Sequence, residues 1–131
     1  MLNWQADRVE DGRYSLVGLS VATAEGVQVY VGGGERPHVG AVAVSEPRPS
    51  LKGDGSRGCT TSVLSRLAHK DGELAVPLAE ALCLALGQPV VVTAGVHLDD
   101  AGPDDIKRLL ANSVRLQVLL LRRLGEQRRG P

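Results

Sequence analysis

Four short valine-rich runs constrain the fold of this chain more than any other feature. Val17, Leu19 and Val21 alternate with Gly18, Ser20 and Ala22, and Val27, Val29 and Val31 follow just beyond Glu25 and Gly26. Val39–Val44 and Val90–Val96 carry hardly a polar side chain on either alternating set. β-branched runs of this length, bounded by Gly and Pro, read as strands. Strict alternation marks a half-buried strand, and an unbroken apolar run marks burial on both faces. The first two runs predict a hairpin turning at Glu25-Gly26. Val27–Val31 and Val39–Val44 look like neighbouring strands, and Thr60–Leu64 resumes as a short further strand.

Two stretches have helical spacing instead. Glu73–Leu86 places Leu74, Leu78, Leu82 and Ala85 on one stripe and stops at Gly87, the usual residue just past a helix end. Pro77 has no N–H for an interior helical bond, so the regular part is expected to start near Val76. The second helix opens at Pro103 with Asp104 and Asp105 in its first turn, where acids suit the helix dipole. Ile106, Leu110, Ser113, Leu120 and Leu124 form its stripe. Leu116 and Val118–Leu121 make its C-terminal half apolar nearly all round, as for a helix buried on more than one side, in a homodimer or in a crowded core. Arg122 and Arg123 fall in its last turn before Gly125.

The elements together predict an α+β fold, a mostly antiparallel sheet packed with two main helices. With 131 residues a single domain is expected. Residues 1–12 are polar and mixed. Residues 46–61, broken by Pro47, Pro49, Gly53, Gly55 and Gly58, read as a flexible loop, and residues 125–131 as a basic tail.

Composition narrows the function. The chain has no Phe, one Trp and two Tyr, so its core is aliphatic and it lacks the aromatic platforms of single-strand nucleic-acid modules. A net charge of zero removes general attraction to nucleic acid. No apolar run reaches membrane-spanning length, and the N-terminus lacks a signal-peptide pattern. Cys59 and Cys83, widely spaced and without a CxxC, read as those of a reduced, cytoplasmic protein.

The chemistry-bearing residues gather around the glycine-rich stretch between the second and third runs. Gly32, Gly33 and Gly34 could present backbone N–H groups to an anion. Arg36, His38, Arg48 and Ser50 would add charge and hydrogen bonds, so this set is the expected ligand site. A second cluster comprises His69, Lys70, Asp71, His97 and Asp99, in which strand alternation puts His97 and Asp99 on one side. The pairs His69/Asp71 and His97/Asp99 use zinc-type donors, but their spacing matches no metal signature, so no metal is expected. No P-loop is present, and Gly53–Gly58 carries the letters of a dinucleotide fingerprint without its strand and helix. Cys59, Thr60 and Ser62 match no nucleophile motif, and no catalytic residue is assigned. His38 and Asp99 are the pair that could exchange a proton. Structural glycines and a structurally bonded histidine account for the same residues.

The ordered pieces Pro37–Ala43, Pro47–Ser50, His69–Asp71, Gly95–Asp99 and Leu109–Asn112 resemble one family. It is the small chaperone-like component associated with hydroxyarylate (gallate-type) decarboxylases, described as prenylated-flavin chaperone-like. The resemblance implies an accessory protein that helps a flavin-dependent decarboxylase acquire, keep or mature prenylated FMN, and is not itself the decarboxylase. It also implies a fold like that of proteasome-assembly-chaperone domains, with a tendency to dimerise, and FMN or prenylated FMN as the ligand. Two departures from the family are Gly102, where a Ser or Thr cap often precedes the proline, and the basic tail. Two other readings of the residues stay open: a small enzyme acting on a phosphorylated or carboxylated metabolite, and a protein-binding dimer with no small ligand.

Overall fold

The structure, a computed structural model, describes residues 2–66 and 71–129. Six strands form one sheet in the order β1-β2-β3-β6-β4-β5. They are β1 (Gln5–Val9), β2 (Leu16–Thr23), β3 (Gly26–Gly34), β4 (Ala41–Pro49), β5 (Arg57–Ser65) and β6 (Val90–His97), with helices α1 (Gly72–Leu86) and α2 (Pro103–Arg129). The expected α+β class is therefore observed, with a mixed, mostly antiparallel sheet and two main helices. The one parallel pair is β3 with β6.

Alternation decides which side chains meet the helices. Val27, Val29 and Val31 of β3 lie level with Val90, Val92 and Ala94 of β6, and Ala41 and Ala43 of β4 continue the layer. All are buried, and all but Ala41 join Leu78, Leu82 and Leu86 of α1 and Leu116, Leu120 and Leu124 of α2 in one core. Burying each such aliphatic side chain contributes roughly 1.5–3 kcal/mol. Gly18 leaves room for α2, since a Cβ there would lie 3.3 Å from the Leu116 methyls. The opposite sheet face carries the cross-strand row Leu19, Tyr30, Thr93, Val42 and Leu64.

Several expectations change. β3 and β4 are not neighbours, because β6 lies between them and pairs with both. Residues 46–61 are mostly strand: β4 runs on to Pro49 and β5 starts at Arg57, in nine consecutive register pairs, leaving 50–56 as the connection. The polar lead contains β1, an edge strand whose Asp7 is held by Arg123 Nε at 2.8 Å. Helix α1 begins at Gly72, one turn before the expected start, so Pro77 sits inside it and the Glu73 carbonyl loses its helical donor. Glu73 is exposed, so water can take that role. Helix α2 continues through Gly125 to Arg129, taking most of the basic tail with it.

Helix α2 is also less enclosed than its composition suggests. Leu116, Leu120 and Leu124 face the sheet, whereas Val114 and Val118 are 59% and 50% exposed. Its weak cap is compensated from within, as Asp105 Oδ2 accepts the Gly102 N–H at 2.8 Å, half of a capping box. Asp105 Oδ1 accepts the Tyr14 hydroxyl at 2.6 Å, and Arg108 lies over the Tyr14 ring. Arg108 also grips Asp11 through two hydrogen bonds, which pins the turn Gly12–Tyr14 to α2.

Candidate functional site: a cavity beside two histidines

The parallel strands β3 and β6 end together at Gly34 and His97. In α/β sheets the carboxyl ends of parallel strands are where ligands tend to bind, because loops and helix N-termini converge there. The first turns of both helices reach this end. Asp71 precedes α1, and Ala101 and Gly102 lead into α2.

The glycines shape this end by steric necessity. Gly32 belongs to β3, where a Cβ would meet the Tyr30 ring at 2.6 Å. Gly34 has φ +68°, a left-handed conformation that turns the chain out of the strand, and a Cβ there would strike the His97 carbonyl. Gly95 has the His38 carbonyl packed against it. The sequence places Gly32–Gly34 in a loop; the structure places them in a strand laddered to β2 and β6, and the Gly34 N–H donates to Ser15 O at 3.1 Å.

His38 is held from several sides. Its backbone N–H donates to Gly95 O, its carbonyl accepts the Tyr30 hydroxyl at 2.9 Å, and Nδ1 lies 3.1 Å from the Arg36 carbonyl. A carbonyl only accepts, so Nδ1 carries a hydrogen. Nε2 lies 3.0 Å from Asp71 Oδ2. That contact is made by a cationic ring donating to a carboxylate, or by a proton carried on Asp71. Asp71 Oδ1 accepts the Val96 N–H at 2.9 Å, so this buried carboxyl joins α1, β6 and the segment before β4.

A second group sits beside it at the surface. His97 Nε2 lies 2.8 Å from an Arg36 guanidinium nitrogen and 2.9 Å from Asp99 Oδ1. Arginine only donates and carboxylate only accepts, so the ring nitrogen serves one of them at a time. The His97 contact and the Arg36 charge hold the Asp99 carboxyl below its usual range. Glu35 Oε1 accepts from Arg13 and from the Asp99 N–H, which fixes the turn after β6. The His38 and His97 rings meet edge to face with centroids 6.5 Å apart.

Next to these side chains is a cavity of about 460 Å³. His38, Asp71, Glu73 and His97 supply its polar lining, and Leu74, Val96, Leu98, Ile106, Leu109 and Leu110 its apolar walls. Its size and its few convergent polar groups are those of a small-molecule site.

The structure thus brings together Arg36, His38, Asp71, His97 and Asp99, merging parts of both expected clusters. The expected pair His97/Asp99 is in contact, whereas His38, expected opposite Asp99, is bonded to Asp71 instead. Arg48 and Ser50 are not brought there. Arg48 lies seven residues along β4 from Ala41, about 23 Å at the usual rise per residue. It binds Thr60 Oγ1 at 3.0 Å and lines a separate, open depression with Arg57. His69 and Lys70 lie outside the described residues. Tyr30, Leu74, Ile106 and Leu110 were missed. Tyr30, two residues before Gly32 on the same strand face, was the one signal available, as an aromatic beside a glycine marks packing across it. Among the described residues no group of three or more His, Cys, Asp or Glu could hold a metal ion, and no helix is long and apolar enough to cross a membrane.

A family model described as "Prenylated flavin chaperone LpdD-like domain" matches residues 10–125. The chain belongs to this family. The match spans every element but β1 and the end of α2, so it includes the whole cavity and both histidines. No curated protein sequence matches the chain. Among solved structures, a chain from "Crystal Structure of a Novel Chaperone Complex for Yeast 20S Proteasome Assembly" superposes with a TM-score of 0.61 at 16% identity, covering 95% of this chain and 96% of that one. At that identity the likeness is one of fold. The prenylated-flavin chaperone-like domain thus shares the fold of that chain, with its cavity at the carboxyl end of the parallel pair.

Proposed function

We propose that this protein is an accessory, chaperone-like partner of a prenylated-FMN-dependent hydroxyarylate decarboxylase, and that it binds the flavin cofactor at the cavity beside His38 and His97. Family membership supports the flavin, and one observation supports the place: an apolar cavity opens next to Arg36, a largely exposed cation whose only described carboxylate partner is Asp99 at 3.4 Å. Arg36 can turn from Asp99 to a phosphate, which it grips through two parallel hydrogen bonds. Gly32–Gly34 contribute by shaping the strand end, and Arg48 and Ser50 take no part. Calorimetric titration with FMN and prenylated FMN, alongside co-purification with a decarboxylase encoded nearby, tests the proposal. Absence of saturable flavin binding together with absence of co-purification defeats it.

The protein works as a homodimer in this reading. Solvated sheet faces ordinarily alternate to polar residues. Here the face away from the helices carries Val17, Leu19, Val42, Val44 and Val91, a surface suited to a second copy. A second function is favoured by Glu73 alone, an exposed carboxylate on the cavity lining with the placement of a general base. Turnover of a carboxylated metabolite by the isolated protein would support that enzyme.

A further inference from the structure

The cavity and the arginine beside it differ in chemistry, and the difference sorts the parts of a ligand. Among the described residues the charged groups lining the cavity are Asp71 and Glu73, with His38 bonded to the first. The first turns of the two flanking helices already hold Glu73, Asp104 and Asp105, which answer the positive ends of the helix dipoles. An anion entering the cavity would therefore meet carboxylates and apolar walls. The walls themselves are incompletely covered: Ile106 and Leu110 remain 40% and 39% exposed although they line a concavity. Apolar side chains left open in this way are covered by an uncharged ligand surface, whose burial drives binding.

We infer that the cavity between the first turns of α1 and α2 takes the uncharged, conjugated ring of the ligand and leaves any phosphate outside at Arg36. The inference rests on the flavin reading above for the ligand's source, and on the cavity alone for its chemistry. A planar ring with polar edge atoms is shared by a flavin and by a phenolic product of a hydroxyarylate decarboxylase. The cavity distinguishes neither, so the experiment does.

The full chain is titrated with FMN, with riboflavin, which lacks the phosphate, and with catechol, following flavin fluorescence and, for catechol, heat. Riboflavin is expected to bind saturably but about tenfold to a hundredfold more weakly than FMN, the loss of the phosphate contact to Arg36, because the ring rather than the phosphate fills the cavity. Leu110→Trp, which fills the cavity from a half-exposed position, is expected to weaken both flavins by at least about tenfold. Arg36→Ala is expected to weaken FMN and leave riboflavin unchanged. If Leu110→Trp does not fold, as judged by circular dichroism, Ile106→Trp serves the same purpose, and the ratio of riboflavin to FMN needs no variant. FMN binding that vanishes with riboflavin and is untouched by both tryptophans overturns the cavity assignment while the flavin reading stands. Catechol binding without flavin binding, lost in Leu110→Trp, overturns the flavin reading and upholds the cavity as a ring site. Binding of none of the three overturns both.

Discussion

His38 Nε2 and Asp71 Oδ2 are 3.0 Å apart, and the same carboxyl accepts the Val96 N–H at 2.9 Å through its other oxygen. Asp71 therefore ties the start of α1 to the end of β6 and to the segment carrying His38. Replacement by Ala strips partners from a backbone N–H and an imidazole, each of which costs more left unmade than the bond contributes when made. Asp71→Ala is expected to lose about 2–4 kcal/mol of stability, and Asp71→Asn, which keeps an oxygen for Val96, about half that. Urea unfolding midpoints of the three proteins test this; equal midpoints would show that the link carries no stability.

Acid stability should depend on Asp11. Hydrogen bonds from Arg108 and Asn112 hold its carboxyl down from 3.8 to about 2. A depressed folded-state pKa contributes stability that is fully present above the unfolded value and is lost as pH falls through the folded one. The melting temperature should fall between about pH 4 and pH 2, and Asp11→Asn should flatten that part of the curve. A wild-type curve of the same shape as that of Asp11→Asn contradicts the assignment.

Two buried serines should behave oppositely. Ser20 Oγ has no hydrogen-bond partner among the described residues, whereas Ser45 Oγ lies 2.8 Å from Thr61 Oγ1. Ser20→Ala removes a desolvated hydroxyl and should be neutral or stabilising by up to about 1 kcal/mol, while Ser45→Ala should cost about 1 kcal/mol. Thermal unfolding of both variants under one set of conditions decides the matter, and a clear loss of stability in Ser20→Ala would contradict it.

The dimer proposal separates two surfaces. Leu120 is fully buried within the subunit, so Leu120→Ala should cost about 2–5 kcal/mol without changing the oligomeric state. Val44→Glu, on the uncovered sheet face, should leave the fold intact and shift sedimentation toward monomer. A wild type that sediments only as monomer at micromolar concentration removes the dimer altogether.

Arg48 and Arg36 provide the sharpest contrast for the ligand. Arg36→Ala should weaken FMN binding by about tenfold to a hundredfold, the loss expected for a hydrogen bond to a charged group. Arg48→Ala should leave FMN affinity unchanged, since its guanidinium is engaged by Thr60 and the Pro49 carbonyl at the far end of β4. Equal loss in both, measured by calorimetry at fixed ionic strength, would mean that the ligand lies elsewhere.

Local pattern determined the elements and the buried sets. Alternation of apolar residues named the buried face of β3, Gly87 marked the end of α1, and the order of motifs pointed to the family. In β2 it is Leu16, Gly18 and Ser20 that face the helices, with Val17 and Leu19 on the open face, because α2 packs close against Gly18. The hairpin of β4 and β5 was hidden because Pro47, Pro49 and Gly58 signal breaks locally. Cross-strand pairing overrides them at a sheet edge, where a proline forfeits no ladder bond if its nitrogen faces away from the neighbour. The neighbours of each strand were decided only by tertiary structure. The valine runs are interchangeable as partners, and periodicity says which side of a strand is buried, not which strand lies beside it. Placing β6 between β3 and β4 brought His97 to His38 and sent Arg48 away from both. The cavity arose in the same step, because its walls come from β6 and the first turns of two helices, segments brought together only by the tertiary fold.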